Sequence, residues 1–216
     1  KKDKSQSVFS RSEFLAMAEL GVTEGIVEKQ DSEIIGNLLR METVRVKDIM
    51  TPRIVVRLAS EEQTIKAFYK SAGTLPFSRI PLYEGEINEH ISGYFLKAEL
   101  LESLVLGKGE CQLSTIKRDI IAVHESLPIS DMFDLLLEKR EHIALVVDEY
   151  GGMAGIVSME DVMETLLGME ITDESDKTVD MQALARKKWE ERARRMGLIG
   201  EDAETPGLIT RPGDER

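Results

Sequence analysis

Ser158 and Asp161 are the residues whose types and spacing best suit ligand chemistry in this chain. They follow the apolar run Gly155-Ile156-Val157, and a helical pattern opens at Met159. The hydroxyl therefore stands at a helix start and the carboxylate one turn in. Backbone N–H groups at a helix N-terminus attract phosphate, a serine at the cap adds a hydrogen bond, and an aspartate beyond it can accept from ribose hydroxyls. The same pair also fits the S-x-x-D/E capping pattern, in which the side chains satisfy only the helix's own donors. On these residues alone both readings stand. No catalysis is expected, because the sequence has no nucleophile–base pair, Walker-type loop or G-x-S-x-G elbow. His90, His124 and His142 lack metal-ligand spacing and Cys111 is the single cysteine, so no dedicated metal site is expected either.

The elements that must position Ser158 and Asp161 occur twice. Gly93 precedes Gly155 by 62 positions, and each glycine has an acid six residues on, Glu99 and Asp161. Upstream, Arg79 to Tyr83 matches His142 to Val146, and the helical run 61–72 matches 128–139. Each copy reads strand, helix, strand, strand, helix. In the second, residues 120–123 form a short apolar strand. Pro128 opens a helix with Ile129, Met132, Phe133, Leu136 and Leu137 on one stripe. A buried strand over 143–147, a turn at 148–152, a return strand over 153–157 and a helix over 159–167 ended by Gly168 complete the unit. One such unit would bury too little surface to be comfortably stable, whereas two packed together share a core.

Composition narrows the partners. The formal net charge of −12 argues against nucleic acid, which demands a basic surface. Binding a polyanion would have to rely on local features, namely a helix N-terminus, one or two arginines and a bridging cation. A lone cysteine allows no internal disulfide and favours a reducing compartment. No apolar run approaches the roughly 20 residues that cross a bilayer.

Three motifs in order give the chain a family resemblance: Lys47-Asp48-Ile49-Met50-Thr51-Pro52-Arg53, Ser78-Arg79-Ile80-Pro81-Leu82-Tyr83, and Val147 to Gly152 continuing into Gly155 to Asp161. Together they resemble the tandem cystathionine-β-synthase (CBS) domains of the CorC and cyclin-M magnesium and cobalt transporters, proteins often labelled hemolysin-like. The resemblance implies an α+β fold, a CBS-domain pair of two β-α-β-β-α units about a pseudo-twofold axis with flanking helices. It divides the chain into a lead-in at 1–43 following an absent membrane domain and CBS units at 44–110 and 111–171, while 172–216, read as a charged helix with a disordered tail, departs from the further small α+β domain that many relatives carry.

It also implies a nucleotide cleft. Ser158 would serve the phosphates or ribose, Asp161 the ribose hydroxyls, and Gly155 the strand before them. Thr51 would arrive from the first unit's lead-in, and Phe77, Ser78, Arg79, Ile80 and Pro81 would form the wall across, with Arg79 near the phosphates. The bland readings are a turn start for Thr51, a surface ion pair for Arg79 and core packing for Phe77 and Ile80. The other cleft departs from the pattern, with Leu96 and Glu99 at the places of Ser158 and Asp161, so one nucleotide per tandem is expected.

By the same resemblance the ligand is ATP, or ADP or AMP, with Mg2+ held through its phosphates. The tandem forms a homodimer, and the module regulates its own transmembrane domain from the cytoplasmic face of the inner membrane. A ligand-free dimerisation scaffold and an AMP-sensing regulator of an enzyme are the alternatives. Residues 32–41, with Ile34, Ile35, Leu38 and Leu39 as an apolar stripe, would link to the membrane domain or simply pack on the tandem. A helix over 179–196, carrying Arg186, Lys187, Lys188, Trp189, Arg192, Arg194 and Arg195, is read as a solvated surface, with contact to an anionic membrane as the rival.

Overall fold

The computed structural model describes residues 10–85 and 90–169, and Lys187 beyond them. The sequence expectations for 172–216 therefore fall outside the described residues, apart from Lys187, which is helical and exposed. Two helices lead in, α1 (Arg11–Thr23) and α2 (Lys29–Arg40), forming a hairpin. Ser10 starts α1 through a capping box with Glu13. The hairpin closes where Gly36 of α2 meets Leu15 of α1, whose Cδ1 would lie 3.2 Å from an added Cβ. On α2 the buried positions are Ser32 and Gly36, while Leu38 is 56% exposed. The most buried positions are thus small residues, where the helices approach closely, while Ile34, Ile35 and Leu39 of the expected stripe are half-buried and Leu38 alone of the four is exposed.

The tandem follows: α3 (Val46–Ile49), β1 (Thr51–Pro52), β2 (Ala59–Ser60), α4 (Ile65–Ala72), β3 (Arg79–Glu84), β4 (His90–Leu96) and α5 (Lys97–Val105). A 3-10 turn (Leu113–Ile116) leads to β5 (Ile121–His124), α6 (Ile129–Lys139), β6 (Ile143–Val147), β7 (Met153–Ser158) and α7 (Met159–Leu167). The second unit matches its sequence pattern closely, down to Gly168 at φ +71 as the stop of α7. In the first, α4 begins after Thr64, whose hydroxyl accepts from the Ala67 N–H, and the residues before it form a turn.

Two sheets result, β1-β7-β6-β5 and β2-β3-β4. Parallel β5·β6 and β2·β3 pairs and antiparallel β6·β7 and β3·β4 pairs repeat one topology. Even the fourth position is mirrored. Thr51 pairs with Ile156 on β7, and Arg118 bridges to Tyr94 on β4. Strand register corrects one expectation: Arg79 lies opposite Leu96 and Ile143 opposite Ser158, so Arg79 corresponds to Ile143 and not to His142. The first hairpin is longer, and a one-residue slip exchanges the two faces of a strand.

Each unit has its own core, and each borrows from the sequence beside the other. Val46 and Ile49 pack with Val123, Ile129, Met132, Leu136, Ala144, Val146, Val157 and Val162 of the second unit. Leu113 packs with Ile65, Phe68, Ile80, Leu82, Phe95 and Leu100 of the first. The borrowing has a steric signature: an added Cβ on Gly155 would sit 2.3 Å from the Thr51 carbonyl oxygen, and one on Gly93 equally close to that of Arg118. Only glycine admits a crossing backbone at that distance.

Candidate functional site

Because β1 lies against β7, Thr51 is carried to the end of the second sheet where Ser158 turns into α7. The Arg53 N–H continues the contact by donating to the Ala154 carbonyl at 2.9 Å. Ser158 is the N-cap of α7. Its N–H and hydroxyl donate to Asp161 Oδ2 at 2.6 and 2.8 Å, and the Asp161 N–H donates to Ser158 Oγ at 3.2 Å. Here the two side chains form the capping box that the sequence allowed as the plainer reading.

The opposite wall comes from the other unit. Arg79 begins β3, and its Nη1 lies 3.8 Å from Glu160 Oε1 on the first turn of α7, so an arginine of the first unit reaches the helix start of the second. Glu160 was not singled out in the sequence. Its only signal there is an acid beside Asp161, a placement common on helix first turns for dipole reasons. Phe77 is 36% exposed and Ser78 is exposed, both on the loop that feeds Arg79. The Ser78 carbonyl accepts from the Lys97 N–H at 2.9 Å. Ile80 has no exposed surface and belongs to the first unit's core, and Pro81 is buried beside it. The structure thus gathers Thr51, Gly155, Ser158, Asp161 and Arg79 around one helix start, with Phe77 and Ser78 adjacent to Arg79 in sequence, and leaves Ile80 and Pro81 buried in the first unit.

The donor set suits a nucleotide. A helix start, two hydroxyls, a carboxylate and a guanidinium cover phosphate and ribose, and the local acids Glu160 and Asp161 favour an accompanying cation. Across the seam of the two units, the Tyr94 hydroxyl donates to Glu141 Oε2 at 3.2 Å. Burial, then the Glu141 charge, pushes the Tyr94 phenol above its usual pKa. No helix among the described residues is long and apolar enough to cross a membrane.

Residues 113–168 match the CBS domain family. The chain is similar to a solved CBS domain of a bacterial CNNM/CorC family Mg2+ transporter in complex with ATP. Identity is 30% and the TM-score 0.61, covering 65% of this chain and 99% of that one. The chain belongs to the CNNM/CorC family of CBS-domain proteins. A UPF0053 protein of Synechocystis sp. is 34% identical over 83% of this chain. The magnesium and cobalt efflux protein CorC of Escherichia coli is 28% identical over 85% of it. The chain spans 51% of the first relative's length and 63% of the second's.

Proposed function

We propose that this chain is the regulatory nucleotide-binding module of a membrane magnesium or cobalt transporter or efflux protein, taking one adenine nucleotide at the start of α7. The observation that carries this reading is the meeting of Arg79 with the first turn of α7, which brings both units to one helix N-terminus beside Ser158, Asp161 and Thr51. Mg2+ would accompany the phosphates and offset the acids Glu160 and Asp161. The ATP-bound relative at 30% identity supports the choice of ligand.

In this reading Arg79 exchanges the Glu160 carboxylate for phosphate, which strengthens the link between units only when nucleotide is present. That difference is what a ligand needs to shift one arrangement over another. The tandem pairs with a second copy, and the module sits at the cytoplasmic face of the inner membrane, attached to a membrane domain. Calorimetric titration of the purified chain with ATP, with and without Mg2+, tests it. Saturable heat requiring Mg2+ is expected. A flat trace with ATP, ADP and AMP overturns it in favour of a dimerisation scaffold, a reading that the Ser158–Asp161 capping box favours. Preference for AMP without metal would move the module to enzyme regulation.

A further inference from the structure

Resting on that nucleotide reading, we propose that Arg118 is the specificity-determining residue that closes the first unit's cleft to nucleotide and holds the stoichiometry at one per chain. The register makes the comparison position by position. The Arg118 carbonyl lies over Gly93 as the Thr51 carbonyl lies over Gly155, so Arg118 stands where the second unit has a short hydroxyl. Its backbone is fixed by two hydrogen bonds with Tyr94, the Tyr94 N–H donating at 2.9 Å and the Arg118 N–H at 2.7 Å. From that anchored point the guanidinium forks onto Glu99. Nη2 donates to Oε1 at 2.5 Å, and Nε lies 3.1 Å from Oε1 and 3.3 Å from Oε2.

Glu99 occupies in α5 the place of Asp161 in α7, so the carboxylate that would accept from ribose hydroxyls is already held by a planar cation. Leu96 at the N-cap of α5 has no hydroxyl and makes no side-chain cap bond. The strand start that would supply the opposing arginine is Ile143, buried in its own sheet. Glu99 and Arg118 are half-exposed, so their pair adds little to stability and its removal leaves the fold intact.

The test compares the wild-type chain with the double variant Leu96→Ser, Arg118→Thr in Mg-ATP titrations, with photolabelling by 8-azido-ATP to locate the site. Wild type is expected to take one nucleotide and to be labelled only on peptides containing Thr51, Arg79 or Ser158. The variant, at a melting temperature no lower than that of wild type, should take two, the second on the order of tenfold weaker because Ile143 replaces an arginine. A folded variant that still takes one overturns the proposal, as does wild-type label on peptides around Glu99. The labelling of wild type decides the matter if the variant fails to fold. Silence in wild type with one site in the variant overturns the reading of the second cleft but upholds closure by Arg118. Silence in both overturns both.

Discussion

At the start of α7 a serine and an aspartate meet a threonine and an arginine delivered from elsewhere in the chain. At the start of α5 the matching positions hold leucine, glutamate, arginine and isoleucine. Yet the backbones agree, with the same strand pairings, the same crossing segment over a glycine and the same borrowed core residues. What must be kept for folding is therefore the close approach and the core, while the residues at the two helix starts are free to diverge. Symmetry in this protein belongs to the scaffold, and asymmetry to the side chains at the two helix starts.

The largest way to break the comparison is to cut it. A fragment of residues 44–110 carries Val46 and Ile49 away from the core they complete and lacks Leu113, which its own core requires. Large-to-nothing losses of buried aliphatic side chains cost several kcal/mol each, of the order of a domain's whole stability. The fragment should show no cooperative melt by circular dichroism, whereas residues 44–169 should melt as one unit. A folded 44–110 fragment would mean that the exchanged segments are dispensable.

Next in size is the carboxylate pair. A charge-assisted hydrogen bond is worth about 1.5–3 kcal/mol, so Asp161→Ala should weaken Mg-ATP binding about tenfold to a hundredfold, while Glu99→Ala leaves it unchanged. Equal effects from the two, measured by calorimetry, would erase the distinction between clefts. Smaller still is the cap. Ser158→Ala should lower stability by about 0.5–2 kcal/mol, and Leu96→Ser should raise it, both read from denaturant midpoints.

The smallest effect is on the pair that ties Glu61 of the first unit to Lys117 of the segment after it. Glu61 accepts from Lys117 Nζ at 2.8 Å and from the Ser92 hydroxyl, and these bonds hold its carboxyl below the usual 4.5. A depressed folded pKa contributes stability above the ordinary value and loses it as pH falls through the folded one. Glu61→Gln should therefore flatten the acid limb below about pH 4.5 in a thermal-melt series. An unchanged limb would place the acid sensitivity elsewhere.

Much of the second unit was legible because its elements are short, apolar and punctuated, with Pro128 starting α6 and Gly168 ending α7. Ser158 and Asp161 were legible as a pair, though their spacing could not separate cap from ligand site, since one geometry serves both. The exchange of segments was hidden. Nothing in Val46 or Leu113 says which sheet they join, because burial is a property of the tertiary partner and not of the residue. The Arg79 slip was hidden for a related reason: Ile80 and Ile143 are both apolar and suit either alignment, so the longer first hairpin shifted the match by one. The Arg118–Glu99 fork had no local signal, its partners being separated by a helix and a turn.

The helix α7 has a second attachment at its far end. The Asn37 side-chain amide donates to the Leu166 carbonyl at 3.2 Å, and an added Cβ on Gly168 would strike the same amide at 2.8 Å. The nine residues of α7 make a stiff strut about 13 Å long, joined to the candidate site by one tip and to the lead-in hairpin by the other. A hydrogen-bonded helix scarcely stretches, so a tilt imposed at Ser158 arrives at Asn37 as a displacement of α2, with no chain of intermediaries to absorb it.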